Sequence, residues 1–216
     1  MTAQTSREGA LTLRYMQVPD ISDVMEIDHA SFKPPWPERS YRFELNESQV
    51  SYMVVLERQE ARDQNGWQRL FNQLRGTDEQ QTALAPVIVG YGGLWKIAEE
   101  AHISTIASHP NYRGRKYGEI LLAGMLQRAM ALRAGYVVLE VRVSNQVAQG
   151  LYKKYGFEIH STKKGYYHHD REDAYDMRLD LNEATMAQVN RLVQALRERV
   201  PYSDHYATTP HPRLRR

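Results

Sequence analysis

The chain has 216 residues, a formal net charge of +2 at pH 7 and 42% hydrophobic side chains. This length and composition predict one domain with a substantial core, and no apolar run is long enough to span a bilayer. The small positive charge is unlike the basic excess of proteins that follow nucleic-acid backbones, so direct binding of DNA or RNA is not expected. The absence of cysteine excludes disulfides, thiolate zinc sites and a cysteine acyl-enzyme. Residues 1–10 are polar and lack the apolar stretch of a secretory signal, which favours a cytoplasmic protein.

Strand and helix patterns alternate through the first half of the chain. Leu11, Leu13 and Tyr15 alternate with polar residues, as in a half-buried strand. Three prolines and a tryptophan at 33–37 cannot continue a helix and predict a rigid elbow. The predicted elements are a strand at 11–15, a helix capped by Asp20, the elbow, a helix at 38–46, and strands at 51–57, 87–95 and 102–108. Gly90, Gly92 and Gly93 mark a bulge or a close backbone approach in the second of these β runs.

Residues 58–85 separate two predicted strands and are rich in Gln, Arg and Asp. This stretch is far longer than a hairpin needs and is predicted to be an insertion. Within it, Trp67, Leu70, Phe71 and Leu74 fall on one helix face. The stripe either packs on the protein's own surface or docks a partner, and the sequence leaves both possibilities open.

A glycine-bearing turn, residues 113–118, separates the strand at 102–108 from an amphipathic helix at 119–132. The free N–H groups and the positive dipole end of a helix N-terminus favour an anion, and a glycine lets the backbone approach it. The turn therefore predicts a diphosphate cradle. An ordinary loop with solvated arginines is the alternative, because short glycine-rich turns are weak signals.

The second half continues the alternation. Asn145 is a good N-cap and Gly156 a good C-cap for the helix between them. The other predicted elements are strands at 136–143, 157–163 and 174–181, a loop at 165–173, an amphipathic helix at 183–199, and a tail from 201 that is loose or packed only locally. The pattern predicts a mixed α/β sheet in one domain, 1–216.

Two residues are candidates for proton transfer. Glu140 interrupts an otherwise apolar strand and shares a face with Arg142. If Glu140 is buried at a cleft, desolvation raises its pKa and makes it a better base; if exposed, it pairs with Arg142. Tyr152 either packs its ring in the core or gives a proton to a leaving thiolate.

The histidines do not predict a metal site. His168 and His169 are adjacent and tend to point apart, and no third ligand at helical spacing accompanies them. His102 and His109 are interpreted as structural or solvated.

Together these features resemble the GNAT acetyltransferases, and more narrowly the RimI-type ribosomal-protein-alanine N-acetyltransferases. The resemblance spans about residues 11–181, without the insertion at 58–85 and the C-terminal extension at 183–216. It implies a GNAT fold, with a mixed, mostly antiparallel sheet whose central strands splay apart. The matching segments are 106–118, 140–145, Leu151-Tyr152, Gly156-Phe157, the elbow at 32–36, and Tyr166-Tyr167 through 171–174.

The resemblance also implies roles for individual residues. Glu140 is the implied proton acceptor and Tyr152 the implied proton donor. Acetyl-CoA is the implied co-substrate, with no metal, and its implied contacts are Ile106, Ala107, Ser108, Gly114, Arg115, Lys116, Tyr117, Gly118, Glu119 and Asn145. One departure is Lys116, where the family commonly has glycine.

The implied activity is direct acetyl transfer, in a ternary complex, to the N-terminal alanine of a small-subunit ribosomal protein. An α-amino group needs only mild help to lose its proton, whereas a lysine needs more. Trp36, Tyr41, Tyr166 and Tyr167 are expected to line the slot for the acceptor's N-terminus. The alternatives are acetylation of a small amine or an internal lysine, and a non-catalytic acyl-CoA-binding adaptor. Neither a nucleic acid nor a membrane is expected as a partner.

Overall fold

The computed structural model describes residues 7–61 and 84–212, which form eight strands and five helices. The strands are β1 (Leu11–Tyr15), β2 (Ser51–Ala61), β3 (Leu84–Ile97), β4 (Glu100–Ser108), β5 (Tyr136–Arg142), β6 (Glu158–Tyr167), β7 (Glu172–Asp180) and β8 (Tyr202–His205). The helices are α1 (Ile21–Ser31), α2 (Glu38–Asn46), α3 (Tyr117–Ala131), α4 (Gln146–Lys154) and α5 (Glu183–Arg199).

All eight strands of the described residues belong to one sheet, in the order β6-β7-β5-β4-β3-β2-β1-β8. Neighbours run antiparallel except for the pairs β4/β5 and β1/β8. One hydrophobic core lies under α3 and α5, and a second lies under α1 and α2. The predicted fold class, a mixed and mostly antiparallel sheet flanked by helices, is confirmed. No described helix is long and apolar enough to cross a membrane.

The two central parallel strands separate soon after they meet. β4 and β5 pair only from Glu100↔Tyr136 to His102↔Val138. Beyond this point, residues 103–108 of β4 and 139–142 of β5 diverge, and their facing edges have no ladder partner among the described strands. We call this opening the wedge. The splayed centre implied by the resemblance is therefore present.

The glycines of β3 allow the sheet to bulge and α3 to lie close to it. A Cβ on Gly92 would lie 2.9 Å from the Met125 methyl carbon of α3, and one on Gly93 would lie 2.7 Å from Ser104 Oγ. The register between β3 and β4 shifts between Gly93, which pairs with Thr105, and Leu94, which pairs with Ile103, so Ser104 has no register partner on β3. The predicted bulge and close approach are thus both confirmed.

Two predicted boundaries need correction. The ends of the predicted insertion at 58–85 belong to strands, because β2 and β3 stay paired from Arg58↔Val87 to Ala61↔Leu84. The polar side chains of Arg58, Gln59 and Glu60 suit a pair of strands whose two faces are partly exposed. Residues 62–83, and with them the stripe that begins at Trp67, lie outside the described residues.

The predicted loose tail is wrong. β8 pairs in parallel with β1, and the Tyr206 side chain that follows is fully buried. The Arg128 guanidinium, also buried, donates hydrogen bonds to the backbone carbonyls of Tyr206 and Thr209. Residues 201–212 are ordered because they cover the edge of β1 and satisfy a buried cation.

Candidate active site

The phosphate turn, residues 113–118, presents an open helix N-terminus. Lys116 is the N-cap of α3 and makes no side-chain capping bond. The first turn bond runs from the Ile120 N–H to the Lys116 carbonyl, at 3.0 Å. The N–H groups of Tyr117, Gly118 and Glu119 therefore have no partner within the helix. This arrangement suits an anionic group, because three donors and the dipole converge at one point.

Lys116 adopts the conformation of the glycine that it replaces. Its φ of 68° lies in the left-handed region, so the turn keeps its shape at a conformational cost. The ammonium lies 3.4 Å from the carboxylate of Glu119, which Lys154 also contacts. Burial acts to raise the pKa of Glu119, but these two lysines outweigh it and lower the pKa. In this structure the Lys116 ammonium is therefore paired with the carboxylate of Glu119.

We expect Lys116→Gly to raise the free energy of unfolding by about 0.5–1 kcal/mol, because glycine adopts this φ without strain and the lost ion pair is half-exposed. Acetyl-CoA affinity should stay within about threefold. Urea unfolding and calorimetric titration measure the two quantities. Lys116→Ala is the matched variant, because it loses the ammonium but keeps the strain. A tenfold loss of affinity in both variants would instead show that the ammonium contacts the phosphates.

The other residues implied in cofactor binding border the wedge. Ile106, Ala107 and Ser108 pair with β3 along one edge of β4, which leaves their other edge open. Asn145 is exposed at the start of α4, where its Oδ1 accepts the Ala148 N–H at 3.1 Å. The side-chain amide of Asn145 therefore keeps its two N–H donors for a ligand. The Arg115 guanidinium lies 5.4 Å from the centre of the Tyr112 ring.

Glu140 lies at the apex of the wedge between the side chains of His102 and Lys163. Its carboxylate contacts His102 Nε2 at 2.8 Å and Lys163 Nζ at 2.5 Å, and its side chain is only 11% exposed. Burial acts to raise the pKa of Glu140, but the hydrogen bonds and charges of His102 and Lys163 lower it to about 2. The predicted raised pKa is therefore wrong. The alternative pairing with Arg142 is also wrong, because that guanidinium binds Asp170 and Glu172.

His102 and Lys163 are site residues that the sequence analysis did not identify. His102 was interpreted as structural or solvated. Its register partner is Val138, and alternation places Val138 and Glu140 on one face, so the pair is recognisable once β4 and β5 are known to be neighbours. Lys163 lies two strands away on β6 and reaches across β7, where its ammonium is 3.6 Å from Asp176. No local pattern signals that contact.

Tyr152 lies on α4 with its side chain 5% exposed. Its ring packs 5.8 Å from that of Phe157. Burial raises the pKa of Tyr152, and Tyr167 raises it further. The phenol therefore stays protonated at neutral pH, which is the state that a proton donor needs.

Aromatic rings form a row that ends at the carboxylate. Trp36 of the elbow stacks on Trp95, with centroids 6.3 Å apart, and Trp95 meets the His102 ring edge-on at 5.5 Å. Tyr166 is 41% exposed, and its ring meets that of Tyr167 edge-on at 5.2 Å. We call the surface between the elbow and this tyrosine pair the acceptor slot. Trp36, Tyr166 and Tyr167 border this surface, and their contact with an acceptor stays a prediction.

Tyr41 does not line the slot. It is fully buried, and its hydroxyl donates to that of Tyr91 at 3.2 Å. Its position on the inner face of α2, 5.5 Å from the Trp36 ring, makes it a support beneath the elbow. Asp28 anchors the same elbow, because its buried carboxylate accepts the Trp36 N–H at 2.6 Å and contacts the Tyr91 hydroxyl.

A cleft of about 310 Å³ opens between the end of α1 and the turn that joins β6 to β7. Lys33, Arg142, Asp170 and Glu172 are among its lining residues. Arg142 follows Glu140 by two residues on the same face of β5, so the cleft begins about 7 Å from the apex of the wedge. Within residues 7–61 and 84–212, no group of three His, Cys, Asp or Glu side chains is arranged to hold a metal ion.

Comparison with known proteins agrees with this geometry. Residues 21–157 match the model of the acetyltransferase (GNAT) family. A Bacillus subtilis (strain 168) protein, provisionally named a ribosomal protein bS18-alanine N-acetyltransferase, is 33% identical over 171 residues, which are 79% of this chain and 96% of that protein.

Two solved structures have the same fold. The ribosomal-protein-S18-alanine N-acetyltransferase from Escherichia coli aligns with a TM-score of 0.59 at 22% identity, over 80% of this chain and 97% of that one. Ard1 from Thermoplasma volcanium aligns with a TM-score of 0.60 at 25% identity, over 81% and 99% of the two chains. With a family match over more than half of its residues and a relative at 33% identity, the chain belongs to the GNAT family of acetyltransferases.

Proposed function

We propose that this enzyme is an N-terminal protein acetyltransferase that uses acetyl-CoA to acetylate the N-terminal alanine of a small-subunit ribosomal protein. The observation that carries the proposal is the acceptor slot, whose aromatic row ends at His102 and Glu140 on the apex of the wedge. The name of the Bacillus subtilis relative supports the choice of acceptor. The enzyme would act in the cytoplasm, where ribosomal proteins are made.

The wedge and the phosphate turn suit the two ends of acetyl-CoA. The diphosphate would bind the free N–H groups of Tyr117, Gly118 and Glu119. The pantetheine arm would lie along the open edge of β4, at Ile106, Ala107 and Ser108, as an added strand does. This placement brings the thioester into the wedge, toward Glu140.

The slot suits an extended chain terminus. The α-amine would enter beside His102 and Glu140, with the first side chain against Trp36 and Trp95. Successive residues would extend past Tyr166 and Tyr167 into the cleft. An α-amino group has a pKa near 7.7–8.0, so a modest base produces the neutral form, whereas a lysine near 10.4 needs a stronger one.

The chemical step is direct transfer in a ternary complex. The neutral amine attacks the thioester carbonyl carbon, and N–H groups on the open edge of β4 stabilise the oxyanion. The carbon–sulfur bond then breaks, and the leaving sulfur takes a proton from Tyr152. The amine's proton passes to the pair formed by His102 and Glu140. Each positioned acid or base contributes about 10²- to 10⁴-fold.

The decisive experiment compares acceptors at fixed acetyl-CoA. The panel has three acceptors. The first is a peptide with the N-terminal sequence of a small-subunit ribosomal protein that begins with alanine. The second is a blocked version of this peptide, which is already acetylated at its N-terminus and carries an internal lysine, and the third is spermidine. CoA thiol release and peptide mass are measured, and mass spectrometry of ribosomal protein N-termini from cells with and without the protein identifies the natural acceptor. Equal rates on spermidine or the blocked peptide would contradict the proposal. Acetyl-CoA binding without thiol release on any acceptor would favour an adaptor.

We expect Trp36→Ala to lower kcat/KM for the alanine peptide by at least tenfold, because the slot loses the aromatic wall that orients the acceptor. The acetyl-CoA dissociation constant should not change, since the rings that Trp36 contacts, those of Trp95 and Tyr41, are not among the residues implied in cofactor binding. Steady-state kinetics and calorimetry measure the two effects, with Trp36→Phe as the matched variant that keeps a ring. Rates equal to those of the parent protein would remove Trp36 from the slot.

A further inference from the structure

The carboxylate of Glu140 has both of its oxygens engaged. Oε2 contacts His102 and Oε1 contacts Lys163, from strands on either side of β5. An ionised carboxylate only accepts hydrogen bonds, so the hydrogen of the first contact belongs to His102 Nε2. In the neutral imidazole, the lone pair is then on Nδ1. Glu140 thus sets the tautomer of His102, and Nδ1 is the atom that can take a proton.

The two groups differ in their suitability as a base. Both oxygens of the Glu140 carboxylate are already held, by His102 and by Lys163, whereas the contact with Glu140 uses only Nε2 of His102 and leaves the Nδ1 lone pair for a proton. The His102 side chain is 22% exposed and lies against Trp95 in the acceptor slot. It is therefore within the region that the amine would enter.

We propose that His102 is the catalytic base that takes the proton from the acceptor's amine at Nδ1, and that Glu140 is a positioning residue acting through the Nε2–H···Oε2 hydrogen bond. This assignment rests on the proposed acetyl transfer to an amine. The proton leaves the amine nitrogen as the new carbon–nitrogen bond forms, and the imidazole becomes an imidazolium that Glu140 stabilises. No other reactant is needed.

The charged groups around His102 are consistent with this role. His102 faces Glu140 of β5. The Lys163 ammonium and the Tyr166 phenol, both of β6, lie against the same carboxylate. The Asp176 carboxylate of β7 lies 3.6 Å from the Lys163 ammonium and offsets part of its charge. From β3 it meets the uncharged Trp95 ring, whose indole N–H donates to Glu44 of α2 at 3.0 Å. Among the residues that the structure describes, the anionic group in direct contact with the ring is Glu140, which faces the positive charge that forms there.

The test is the pH dependence of kcat/KM in three variants, His102→Gln, Glu140→Gln and the exposed control His160→Gln. For the parent and the control, we expect two rising limbs, one from the enzyme's base and one from the acceptor's α-amine, which must itself lose a proton to react. His102→Gln should lose the enzyme's limb, keep the limb of the amine, and lose about 10²- to 10⁴-fold in kcat/KM. Glu140→Gln should lose less and keep the enzyme's limb, because an imidazole remains. In a separate rescue experiment, added imidazole should restore part of the rate to a fourth variant, His102→Gly, and none to Glu140→Gln.

The reverse pattern overturns the assignment: if the limb of the enzyme's base survives in His102→Gln and disappears in Glu140→Gln, the carboxylate is the base. Nitrogen-15 NMR of the parent's imidazoles gives a readout that needs neither turnover nor a variant. A neutral His102 protonated on Nε2 supports the proposal, and protonation on Nδ1 overturns it. If the alanine peptide is not acetylated, the proposed function fails, and the kinetic test then uses whichever amine of the panel is acetylated.

Discussion

A chain that ends at Val200 should not fold cooperatively. This truncation removes β8 and Tyr206, so β1 loses its parallel neighbour and the core loses a fully buried ring. Burial of such a side chain contributes about 1.5–3 kcal/mol. The truncation also removes the two carbonyls that Arg128 binds, and an uncompensated buried charge costs about 3–5 kcal/mol. These losses rival the 5–15 kcal/mol total stability of a typical domain. Urea unfolding followed by circular dichroism measures the effect.

The matched control is a chain that ends at Pro212, which should unfold at the same urea concentration as the full chain. Adding Arg128→Met to the Val200 truncation should recover part of the loss, because the buried charge is then absent. A Val200 truncation with unchanged stability would show that the tail contributes nothing to the core. If the Val200 truncation folds neither alone nor with Arg128→Met, Tyr206→Ala in the full chain tests the same contact. Its free energy of unfolding should fall by about 3–5 kcal/mol.

The tail also shows where local sequence patterns stop being informative. The prolines and arginines after Val200 predict a tail that is loose or packed only locally, yet residues 202–205 are ordered by the edge of β1, almost 200 residues earlier in the chain. Elements with strong internal signals behave differently. The helix at 38–46 and the helix at 183–199 match their predictions, because proline, caps and a repeated apolar face act over a few residues.

The candidate site divides in the same way. The phosphate turn is recognisable because its glycines and the helix after it are contiguous, and even the departure at Lys116 is accommodated by a left-handed backbone. The environment of Glu140 is not recognisable, because its pKa depends on side chains from β4 and β6 that arrive 38 residues before it and 23 after it. Burial alone predicted a raised pKa. The contacts with His102 and Lys163 reverse the sign.

That reversal makes Glu140 a source of pH-dependent stability. Its pKa falls from an ordinary 4.5 to about 2 on folding, which corresponds to about 3 kcal/mol. We reduce this to about 2 kcal/mol because the Lys163 side chain is 39% exposed and solvent screens its charge. Since the folded-state pKa is the lower one, the stabilisation is complete above pH 4.5 and is lost as the pH falls toward 2.

We therefore expect the stability difference between the parent and Glu140→Gln to be about 2 kcal/mol larger at pH 6 than at pH 2.5. Urea unfolding at four pH values between these limits gives the difference, and comparing two proteins cancels the acid response that both share. Glu158→Gln, which removes an exposed carboxylate from β6, is the matched control. A difference that stays constant with pH would show that His102 and Lys163 do not hold Glu140 ionised. The carboxylate would then be free to act as the base itself, so this stability measurement also tests the division of roles at the apex of the wedge.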